Sequence, residues 1–572
     1  MITRWLPISV ALLYGVSAEK SLDCPGLFNS SQVLISGLKP YVSAVHPANV
    51  TFIPVDNPAY PSPVPDLPEF CRFGAEFNTS TTSKFRFEIW MPRAEHWNGR
   101  LRSNPLFDDP LLITPLPLRS LRFRGQWRSE YTQFGYFEPI SNNIKDAGGV
   151  NYADMGIPLA KYGFAVASTD TGPGHNGSVV DGTFAISNPE SQIDFGHRAV
   201  HLSAKFAKAI SKSYYGKQSQ YNYWIGCSSG GKQGVKSAQE YPEDFDGVIA
   251  GAPAQWWPHL NGFTTHVNLL NAKTTTPGAV IPTSFFGALY QEVVAQCDNL
   301  DGVSDGIITN PRRCKPDLSR VACGSSNSSV YVNATNCLSG AQLVTLKAIY
   351  TNWTSTSGEF LFPTFEPGSE FGWAGSVNGF PFGPARVEQD IRIINETELQ
   401  RLTAIADATD PGQTNAINPN LKPFFKRGGK LLQYHGFADT LIPSGSSLWY
   451  YEHVRSYFNN ADLSDKYRLF MLPGVGHCSG GPGADAFGGP GQRSVSQGSS
   501  GQSLSFDAKH DMILAVMQWV EKGVAPESLI GAKYVYDNRA LGTSFTRLLC
   551  PYPQVSNASD TYAKAFIQRA LT

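Results

Sequence analysis

Short apolar runs alternate with helical patterns through much of this 572-residue chain, and this alternation restricts the fold more than any other feature. The runs predicted as strands are 85–91, 162–168, 221–225, 248–250, 430–434 and 467–472. Residues 197–214 and 232–240 are predicted as helices, because they carry Ala, Lys and Gln at helix-favouring positions. Strands that alternate with helices form βαβ units, so the predicted fold class is α/β with a mainly parallel sheet.

The alternation breaks between residues 256 and 427, where clear strands are few and Pro, Gly and Asn turns are frequent. This stretch holds four of the nine cysteines and four glycosylation sequons. We therefore predict an inserted domain at 256–427, flanked by the two parts of one sheet domain, 19–255 and 428–572. Residues 480–503 are rich in Gly and Ser and are predicted to form a mobile loop.

The N-terminus has the three parts of a secretory signal. A charged start at Arg4 precedes an apolar run over residues 5–16, and Ser17 and Ala18 provide the small-residue end. The run is shorter than the about 20 apolar residues of a membrane span, so we predict a signal peptide at 1–18 and a secreted, extracellular protein. Nine glycosylation sequons support export, at Asn29, Asn49, Asn78, Asn176, Asn327, Asn333, Asn352, Asn395 and Asn557.

The charge balance excludes two classes of partner. The chain has 46 Lys and Arg against 47 Asp and Glu, a formal net charge of −1, and no long basic run. Neither nucleic acid nor an anionic membrane is therefore expected as a main partner. With 41% hydrophobic residues the chain is expected to form a globular core.

Residues 226–230 read Gly-Cys-Ser-Ser-Gly, between a predicted strand and a predicted helix. This is the G-x-S-x-G pattern in the strand–turn–helix context that exposes a serine hydroxyl above the end of a sheet. Ser228 is therefore the predicted nucleophile, and the backbone N–H of Ser229 is the predicted oxyanion donor. The alternative interpretation is a Gly/Ser turn without chemistry.

The acid and the base of such a hydrolase follow the serine in the chain, on loops after later strands. Asp439 and His477 each come just after a predicted strand, so we predict that the histidine takes the serine proton and the aspartate orients the imidazolium. His435 is the nearest competitor for the base, but it lies four residues before the acid. His197 and His201 fall on a predicted helix and are expected to be packed or solvated.

Cysteines adjoin both predicted catalytic residues: Cys227 precedes the serine and Cys478 follows the histidine, so that a disulfide between them would tie the two together. This arrangement resembles the tannase and feruloyl esterase family of secreted, mostly fungal hydrolases. The likeness covers nearly the whole chain, at 97–100, 151–155, 168–172, 226–234, 435–439 and 476–479. It implies an α/β-hydrolase fold whose lid is the insert before the acid-bearing strand, a Ser-Asp-His triad and no organic cofactor.

The predicted lid contains an acidic loop at 298–307. Three carboxylates at short spacing with interleaved Gly can surround a hard cation, although the loop lacks the terminal Glu of an EF-hand. The family resemblance favours a structural calcium site over an acidic solvated turn. The predicted ligands are the side chains of Asp298, Asp301 and Asp305 and the carbonyls of Val303 and Ile307.

The remaining cysteines leave an odd count. The simplest disulfide pairings of these cysteines are Cys24–Cys71, Cys297–Cys314 and Cys323–Cys337. Cys550 is then left over, and the family partner expected near the C-terminus is missing from this sequence.

Residues 101–147 depart from the family pattern, which is expected to resume at residue 148. In the family a Gly-rich loop that supplies the second oxyanion donor follows the strand at this point, whereas this segment has no such loop. We interpret the segment as a retained intron or a gene-model error, with a true insertion as the alternative. The second oxyanion donor is left unassigned.

The resemblance implies a serine esterase that releases ferulic or related hydroxycinnamic acids from esters of plant cell-wall polysaccharides or small alcohols. A tannase acting on galloyl esters is the alternative, which the compact interval from acid to base and the lack of a processing site in the lid disfavour. A catalytically impaired, calcium-stabilised glycoprotein is the alternative of another class. Candidate pocket-wall residues, for which packing in the lid core is the first expectation, are Trp256, Trp257, Phe362 and Phe371.

Overall fold

The computed structural model describes residues 21–55, 57, 60–104, 149–173, 183–377, 394–490 and 502–556. The predicted signal peptide at 1–18 and residues 105–147 of the atypical segment lie outside these ranges. None of the helices in the described ranges combines the length and the apolar character that crossing a membrane requires.

Strands and helices alternate along the described chain. The strands are β1 Leu38–His46, β2 Phe70–Asn78, β3 Lys84–Pro92, β4 Arg100–Asn104, β5 Ala165–Thr169, β6 Tyr221–Cys227, β7 Gly247–Gly251, β8 Trp353–Thr354, β9 Phe360–Phe362, β10 Lys430–Gly436, β11 Tyr467–Leu472, β12 Leu529–Tyr534 and β13 Thr543–Leu549. The helices are α1 Gly26–Leu34, α2 Tyr152–Tyr162, α3 Pro189–Ile193, α4 Ala199–Tyr215, α5 Ser229–Glu240, α6 Trp257–Leu270, α7 Phe286–Cys297, α8 Gly340–Ile349, α9 Trp373–Ser376, α10 Glu396–Thr409, α11 Lys422–Lys426, α12 Gly445–Tyr457 and α13 Met512–Lys522.

A nine-stranded sheet has the order β1-β2-β3-β5-β4-β6-β7-β10-β11. Neighbouring strands from β5 to β11 in this order are parallel, whereas β1 to β3 and the β3–β5 pair are antiparallel. The predicted parallel arrangement is thus confirmed for that part of the sheet, to which an antiparallel edge is added. Because β4, β6, β7, β10 and β11 are parallel, their carboxyl ends meet at one edge.

Both faces of the sheet are covered, because alternate side chains of each central strand point to opposite sides. In β6, Tyr223 and Ile225 contribute to the cluster that packs with α2 and α13, whereas Trp224 belongs to the cluster that packs with α5 and α12. All three side chains are at most 2% exposed. This double burial explains why the central strands are apolar runs rather than alternating patterns.

Five of the six predicted strands coincide with observed ones, namely β3, β6, β7, β10 and β11. The sixth, predicted at 162–168, begins only at Ala165, because Tyr162 ends α2 and Gly163 caps that helix in the left-handed region, with φ 69°. The helix predicted at 197–214 begins as α4 at Ala199, after a π-helical turn over Asp194–Arg198.

The predicted insert contributes a hydrophobic cluster of its own. With the exception of Ile442, the buried members of this cluster lie between Ala254 and Leu399. Helices α6 to α10 and the short β8–β9 pair lie in this stretch, which agrees with the scarcity of predicted strands. The boundaries 256 and 427 themselves remain a prediction.

Two predicted segments differ from the structure. Residues 101–104 of the atypical segment belong to β4, in the middle of the sheet. The mobile loop predicted at 480–503 is wrong for 480–490, where Ala486 pairs with Ala532 and Asp485 accepts hydrogen bonds from Gly480 N and Lys533 Nζ. It is also wrong for 502–503, where Ser503 Oγ donates to Asp511 Oδ2 (2.8 Å). Composition alone does not reveal such long-range partners.

Candidate active site

Ser228 occupies a sharp turn between β6 and α5. Its backbone has φ 62° and ψ −124°, a strained conformation that is typical of a serine nucleophile elbow. The turn is held by hydrogen bonds from Ser228 N to Gly251 O (3.0 Å) and from Ala254 N to Ser228 O (3.1 Å). A Cβ atom on Gly231 would lie 2.3 Å from Gly251 O, so close packing of α5 on β7 requires glycine there.

The candidate acid and base are in direct contact. His477 Nδ1 lies 2.8 Å from Asp439 Oδ2, and Asp439 Oδ1 accepts hydrogen bonds from the backbone N–H groups of Leu441 (2.8 Å) and Ile442 (2.9 Å). The Asp439 side chain is inaccessible to solvent and that of His477 is 15% exposed. Burial raises the pKa of Asp439, but the charge of His477 and the hydrogen bonds from His435 and His477 outweigh it and hold that pKa well below its usual value.

The second ring nitrogen of His477, Nε2, is not hydrogen-bonded to Ser228 Oγ. Nε2 is buried and has no hydrogen-bond partner among the described residues. Nδ1 faces an acidic acceptor and therefore carries the hydrogen in the neutral ring, which leaves a lone pair on Nε2.

A disulfide joins the two loops that carry the candidate nucleophile and base. Cys227 and Cys478 are bonded with a Cα–Cα distance of 6.0 Å, and both are buried. Each cysteine is the chain neighbour of one candidate catalytic residue, so the bridge restrains the backbones of Ser228 and His477 relative to each other.

The other candidate histidines have both a partner and a packing role. His435 is fully buried and uses both ring nitrogens, Nδ1 to Ser447 Oγ (2.7 Å) and Nε2 to Asp439 Oδ2 (3.0 Å). It therefore offers no unoccupied nitrogen to a substrate. His197 contacts the Tyr241 hydroxyl and burial lowers its pKa to about 4, and His201 stacks on Tyr241, as expected for packed residues.

Ser229, the predicted oxyanion donor, is the first residue of the 12-residue helix α5 and is buried. The N–H groups of a helix's first turn have no intrahelical acceptors and point along the helix axis, which suits them to a developing negative charge. The loop that leaves the carboxyl end of β4, where the second donor is expected, lies outside the described residues.

Lys232, one turn after Ser228 in α5, is a buried residue that sequence reasoning missed. Its side chain is inaccessible, and Nζ has no hydrogen-bond partner among the described residues. The ammonium group lies 4.6 Å from the ring centre of Phe195 and 4.7 Å from that of Trp257. Burial, and secondarily the charge of Lys236, lower its pKa to about 7.

The four candidate wall aromatics have different surroundings. Trp256 stacks on Trp449 of α12 at 4.3 Å between ring centres, and Trp257 covers Lys232. Phe362 is 1% exposed within the insert cluster, and Phe371 packs edge-on against Tyr290. The last two pack in the insert, whereas the two tryptophans contact elements of the sheet domain.

The predicted calcium loop has its carboxylates turned toward protein donors. Asp298 accepts hydrogen bonds from three backbone N–H groups, those of residues 305, 306 and 307, and Asp301 accepts from Val303 N. Asp305 accepts from Ile307 N (3.1 Å). Within the described ranges, no group of three or more His, Cys, Asp or Glu side chains is arranged to hold a metal ion.

The same loop is tied to the sheet domain through Arg547 of β13, which forms an ion pair with Asp305 and donates to Thr309 Oγ1 (2.8 Å). Burial raises the pKa of Asp305, partly offset by this guanidinium. The loop is rich in oxygen donors and has glycines in the left-handed region at Gly302 (φ 87°) and Gly306 (φ 80°), and a carboxylate that accepts an N–H keeps lone pairs.

All four predicted disulfides are present. Besides the bridge at the active site they are Cys24–Cys71, Cys297–Cys314 and Cys323–Cys337. Cys297–Cys314 flanks the acidic loop, and Cys550 is not a member of any of the four bridges.

A sheet of this strand order, with a strained serine after β6 and an aspartate–histidine pair after β10 and β11, defines an α/β-hydrolase. The family model of tannase and feruloyl esterase matches residues 123–392 and 385–566, so the match begins inside the segment interpreted as atypical. The probable feruloyl esterase B-1 of Aspergillus oryzae is 32% identical over 521 residues, 89% of this chain and 85% of that protein. The probable feruloyl esterase B-1 of Neosartorya fischeri is 32% identical over 96% of both chains.

Solved structures agree with this likeness. The crystal structure of feruloyl esterase B from Aspergillus oryzae matches with a TM-score of 0.76 and 29% identity, over 94% of this chain and 98% of that one. The tannin acyl hydrolase from Aspergillus niger matches with a TM-score of 0.63 over 93% of both chains, and at 20% identity it supports the fold alone. The chain belongs to the tannase and feruloyl esterase family and is a carboxylic ester hydrolase, and esterases of this family need no organic cofactor.

Proposed function

We propose that the protein is a secreted serine esterase that hydrolyses esters of ferulic and related hydroxycinnamic acids through an acyl-enzyme on Ser228. The observation that carries this proposal is the buried contact of 2.8 Å between His477 Nδ1 and Asp439 Oδ2. The Nε2 atom of this histidine has no partner among the described residues, and a disulfide bridges the histidine loop to the serine loop.

Acylation begins when His477 Nε2 accepts the proton of Ser228 Oγ, which attacks the ester carbonyl. The carbonyl oxygen becomes an oxyanion and accepts a hydrogen bond from Ser229 N–H. Asp439 stabilises the imidazolium without taking its proton. Collapse of the tetrahedral intermediate breaks the bond to the alcohol oxygen, which receives the proton from His477 Nε2.

Deacylation repeats the sequence with water. His477 Nε2 takes a proton from a water molecule, whose oxygen attacks the acyl carbon, and the second intermediate releases the carboxylic acid as the proton returns to Ser228 Oγ. Every proton in this scheme moves through Nε2 of His477, so the fixed tautomer of this histidine is essential to both acylation and deacylation.

The insert at 256–427 is proposed to act as the lid that shapes the acyl pocket. Its first helix, α6, begins at Trp257, three residues after Ala254, whose N–H donates to the carbonyl of Ser228. The tryptophans at the start of α6 are therefore held near the nucleophile by the chain itself, and a planar aromatic acyl group suits such surroundings.

The choice of a hydroxycinnamoyl group rests on the relatives, which are named as feruloyl esterases of type B. A galloyl ester is the alternative, because the family also contains tannases. Parallel assays with methyl ferulate and methyl gallate decide between them, with Ser228→Ala as the inactive control. Turnover of neither ester by folded protein would instead favour the catalytically impaired glycoprotein.

Secretion is supported by several independent features. The signal pattern at 1–18 and four disulfides suit an oxidising compartment. The seven sequon asparagines within the described ranges are all exposed, as glycosylation requires: Asn29, Asn49, Asn78, Asn327, Asn333, Asn352 and Asn395. N-terminal sequencing of protein from the culture medium is expected to begin at Glu19, and a start at Met1 would contradict the signal assignment.

A structural calcium ion in the 298–307 loop is proposed from its donor chemistry, with Asp298, Asp301, Asp305 and the carbonyls of Val303 and Ile307 as ligands. It takes no part in the reaction steps. The melting temperature is expected to fall when EGTA replaces CaCl2 and to become insensitive to EGTA in Asp298→Asn. An equal melting temperature of the wild type in EGTA and in CaCl2 would contradict the proposed calcium site.

A further inference from the structure

A buried chain of hydrogen bonds leads from the sheet to the candidate catalytic aspartate. Tyr467 Oη lies 2.5 Å from Gln433 Oε1, and Gln433 Nε2 lies 2.7 Å from Ser447 Oγ. Ser447 Oγ lies 2.7 Å from His435 Nδ1, and His435 Nε2 lies 3.0 Å from Asp439 Oδ2. We name Tyr467, Gln433, Ser447 and His435 the Tyr467 chain; its four side chains are at most 1% exposed.

The acceptor end of the Tyr467 chain fixes the position of every proton in it. His435 Nε2 faces two groups that only accept, Asp439 Oδ2 and the carbonyl of Ile442 at 2.9 Å, so this nitrogen carries a hydrogen. In the neutral ring Nδ1 is then an acceptor, and it receives the hydroxyl hydrogen of Ser447. The serine oxygen can in turn accept from the amide of Gln433, whose carbonyl oxygen accepts from the Tyr467 hydroxyl.

Within the Tyr467 chain, His435 Nδ1 has one described contact, the Ser447 hydroxyl. A second proton on Nδ1 would face the Ser447 oxygen, and the serine hydrogen would lose the acceptor that the structure gives it among the described residues. An unsatisfied buried hydroxyl is unfavourable, and so is a buried imidazolium. At the other end Tyr467 remains a donor, since burial raises its pKa well above its usual value.

Asp439 consequently shares one oxygen between two histidines. Oδ2 is the contact of both His435 Nε2 and His477 Nδ1, while Oδ1 is occupied by the backbone N–H groups of Leu441 and Ile442. The carboxylate is therefore locked in rotation, and the hydrogen bond from His435 withdraws negative charge from the oxygen that faces the base.

We propose that His435 is a positioning residue for ester hydrolysis, which orients Asp439 and limits how strongly that carboxylate stabilises the protonated base His477. The inference rests on the proposed function, because it assigns a role within the same triad. Without the His435 N–H, Oδ2 would hold the His477 imidazolium more tightly.

Two titratable groups contact Asp439 directly, and Tyr450 and Tyr451 of α12 lie beside Tyr467. The titratable groups that shift Asp439 most strongly are His477, on the loop after β11, and His435, on β10. Tyr467 on β11 is the remaining titratable member of the Tyr467 chain, and Gln433 and Ser447 carry no charge. A change in the acid limb of the rate profile therefore reports the His435–Asp439 contact.

The test compares pH profiles of kcat/KM for methyl ferulate in the wild type, His435→Leu, His435→Gln, Ser447→Ala and Ser446→Ala. Reactive serine is titrated with a fluorophosphonate, so that rates refer to folded sites. The control Ser446→Ala removes a neighbouring buried hydroxyl of α12 that donates only to the carbonyl of Pro443.

His435→Leu is expected to lower kcat by about 10-fold to 100-fold with KM nearly unchanged, and to move the acid limb upward by about half a unit or more. His435→Gln, which again presents an N–H, is expected to recover most of kcat and the position of the limb. Ser447→Ala is expected to lower kcat several-fold more than Ser446→Ala does.

The proposal is overturned if the acid limb of His435→Leu coincides with that of the wild type, or if Gln fails to recover it. If His435→Leu does not fold, equal kcat values for Ser447→Ala and Ser446→Ala overturn it instead. Failure of the proposed function has a different signature, because the wild type itself would then lack turnover or Ser228→Ala would retain it.

Discussion

Asp439→Asn isolates the electrostatic role of the acid, because an amide has nearly the same shape as a carboxylate. Asp439 accepts two backbone N–H groups on Oδ1, from Leu441 and Ile442, and two ring N–H groups on Oδ2, from His435 and His477. The backbone donors cannot change, so we expect the amide oxygen to stay with them. The amide NH2 group then faces both histidines.

Two donors that face each other are unfavourable when buried, at about 1–3 kcal/mol for each unsatisfied group. His477 avoids this by placing its hydrogen on Nε2 and accepting from the amide with Nδ1. In that tautomer Nε2 cannot take the serine proton, so kcat for methyl ferulate near pH 7 is expected to fall by about 10⁴-fold with KM changed little. Both kcat and KM are measured from the release of ferulate, in a stopped or a continuous assay.

Asp244→Asn is the matched control. Asp244 is also buried and lies 2.7 Å from a histidine nitrogen, His201 Nδ1, but it lies in the loop between the carboxyl end of α5 and β7, whereas Ser228 precedes the first turn of α5. We expect this variant to lose thermal stability while kcat stays within about twofold. A kcat for Asp439→Asn above about a tenth of the wild-type value, or an equal loss in both variants, would refute the tautomer argument.

Two further predictions concern the surroundings of the site. Replacing Cys227 and Cys478 by Ala is expected to lower kcat/KM strongly. The same change at Cys323 and Cys337 is expected to lower only the melting temperature. Equal effects of the two changes on kcat/KM would contradict a special role for the bridge at the active site. Lys232→Met is expected to raise the free energy of unfolding by about 1–3 kcal/mol at pH 6, because burial disfavours the charged ammonium. Since the pKa of Lys232 is lowered to about 7 in the folded state, the wild type gains stability as pH rises from about 7 toward 10. The stability advantage of the Met variant should therefore shrink over that range. An advantage that stays constant with pH would contradict this prediction.

The candidate triad could be located from sequence because each member follows a strand. Ser228, Asp439 and His477 come after β6, β10 and β11, whose carboxyl ends meet at one edge of a parallel sheet. A short local pattern therefore carries three-dimensional information here, and the adjacent cysteines add a pairing that brings two of the three loops together.

The support of the triad could not be located in the same way. Ser447 lies in α12 and Tyr467 in β11, and nothing in their local sequence points to His435. Their contacts depend on how a helix packs on the sheet, which sequence periodicity does not encode. The burial of Lys232 could not be predicted from sequence either. A lysine in a helix with several polar residues is predicted to be solvated, whereas α5 lies buried between β7 and the insert.

A covalent acyl-enzyme on Ser228 can be detected by mass spectrometry of acid-quenched protein. After brief incubation with methyl ferulate, peptide mapping is expected to find a feruloyl group on Ser228 in the wild type and none in Ser228→Ala. The intermediate should accumulate further with a slowly deacylating ester. Turnover of methyl ferulate that persists in Ser228→Ala, or a feruloyl group mapped to another side chain, would contradict the account.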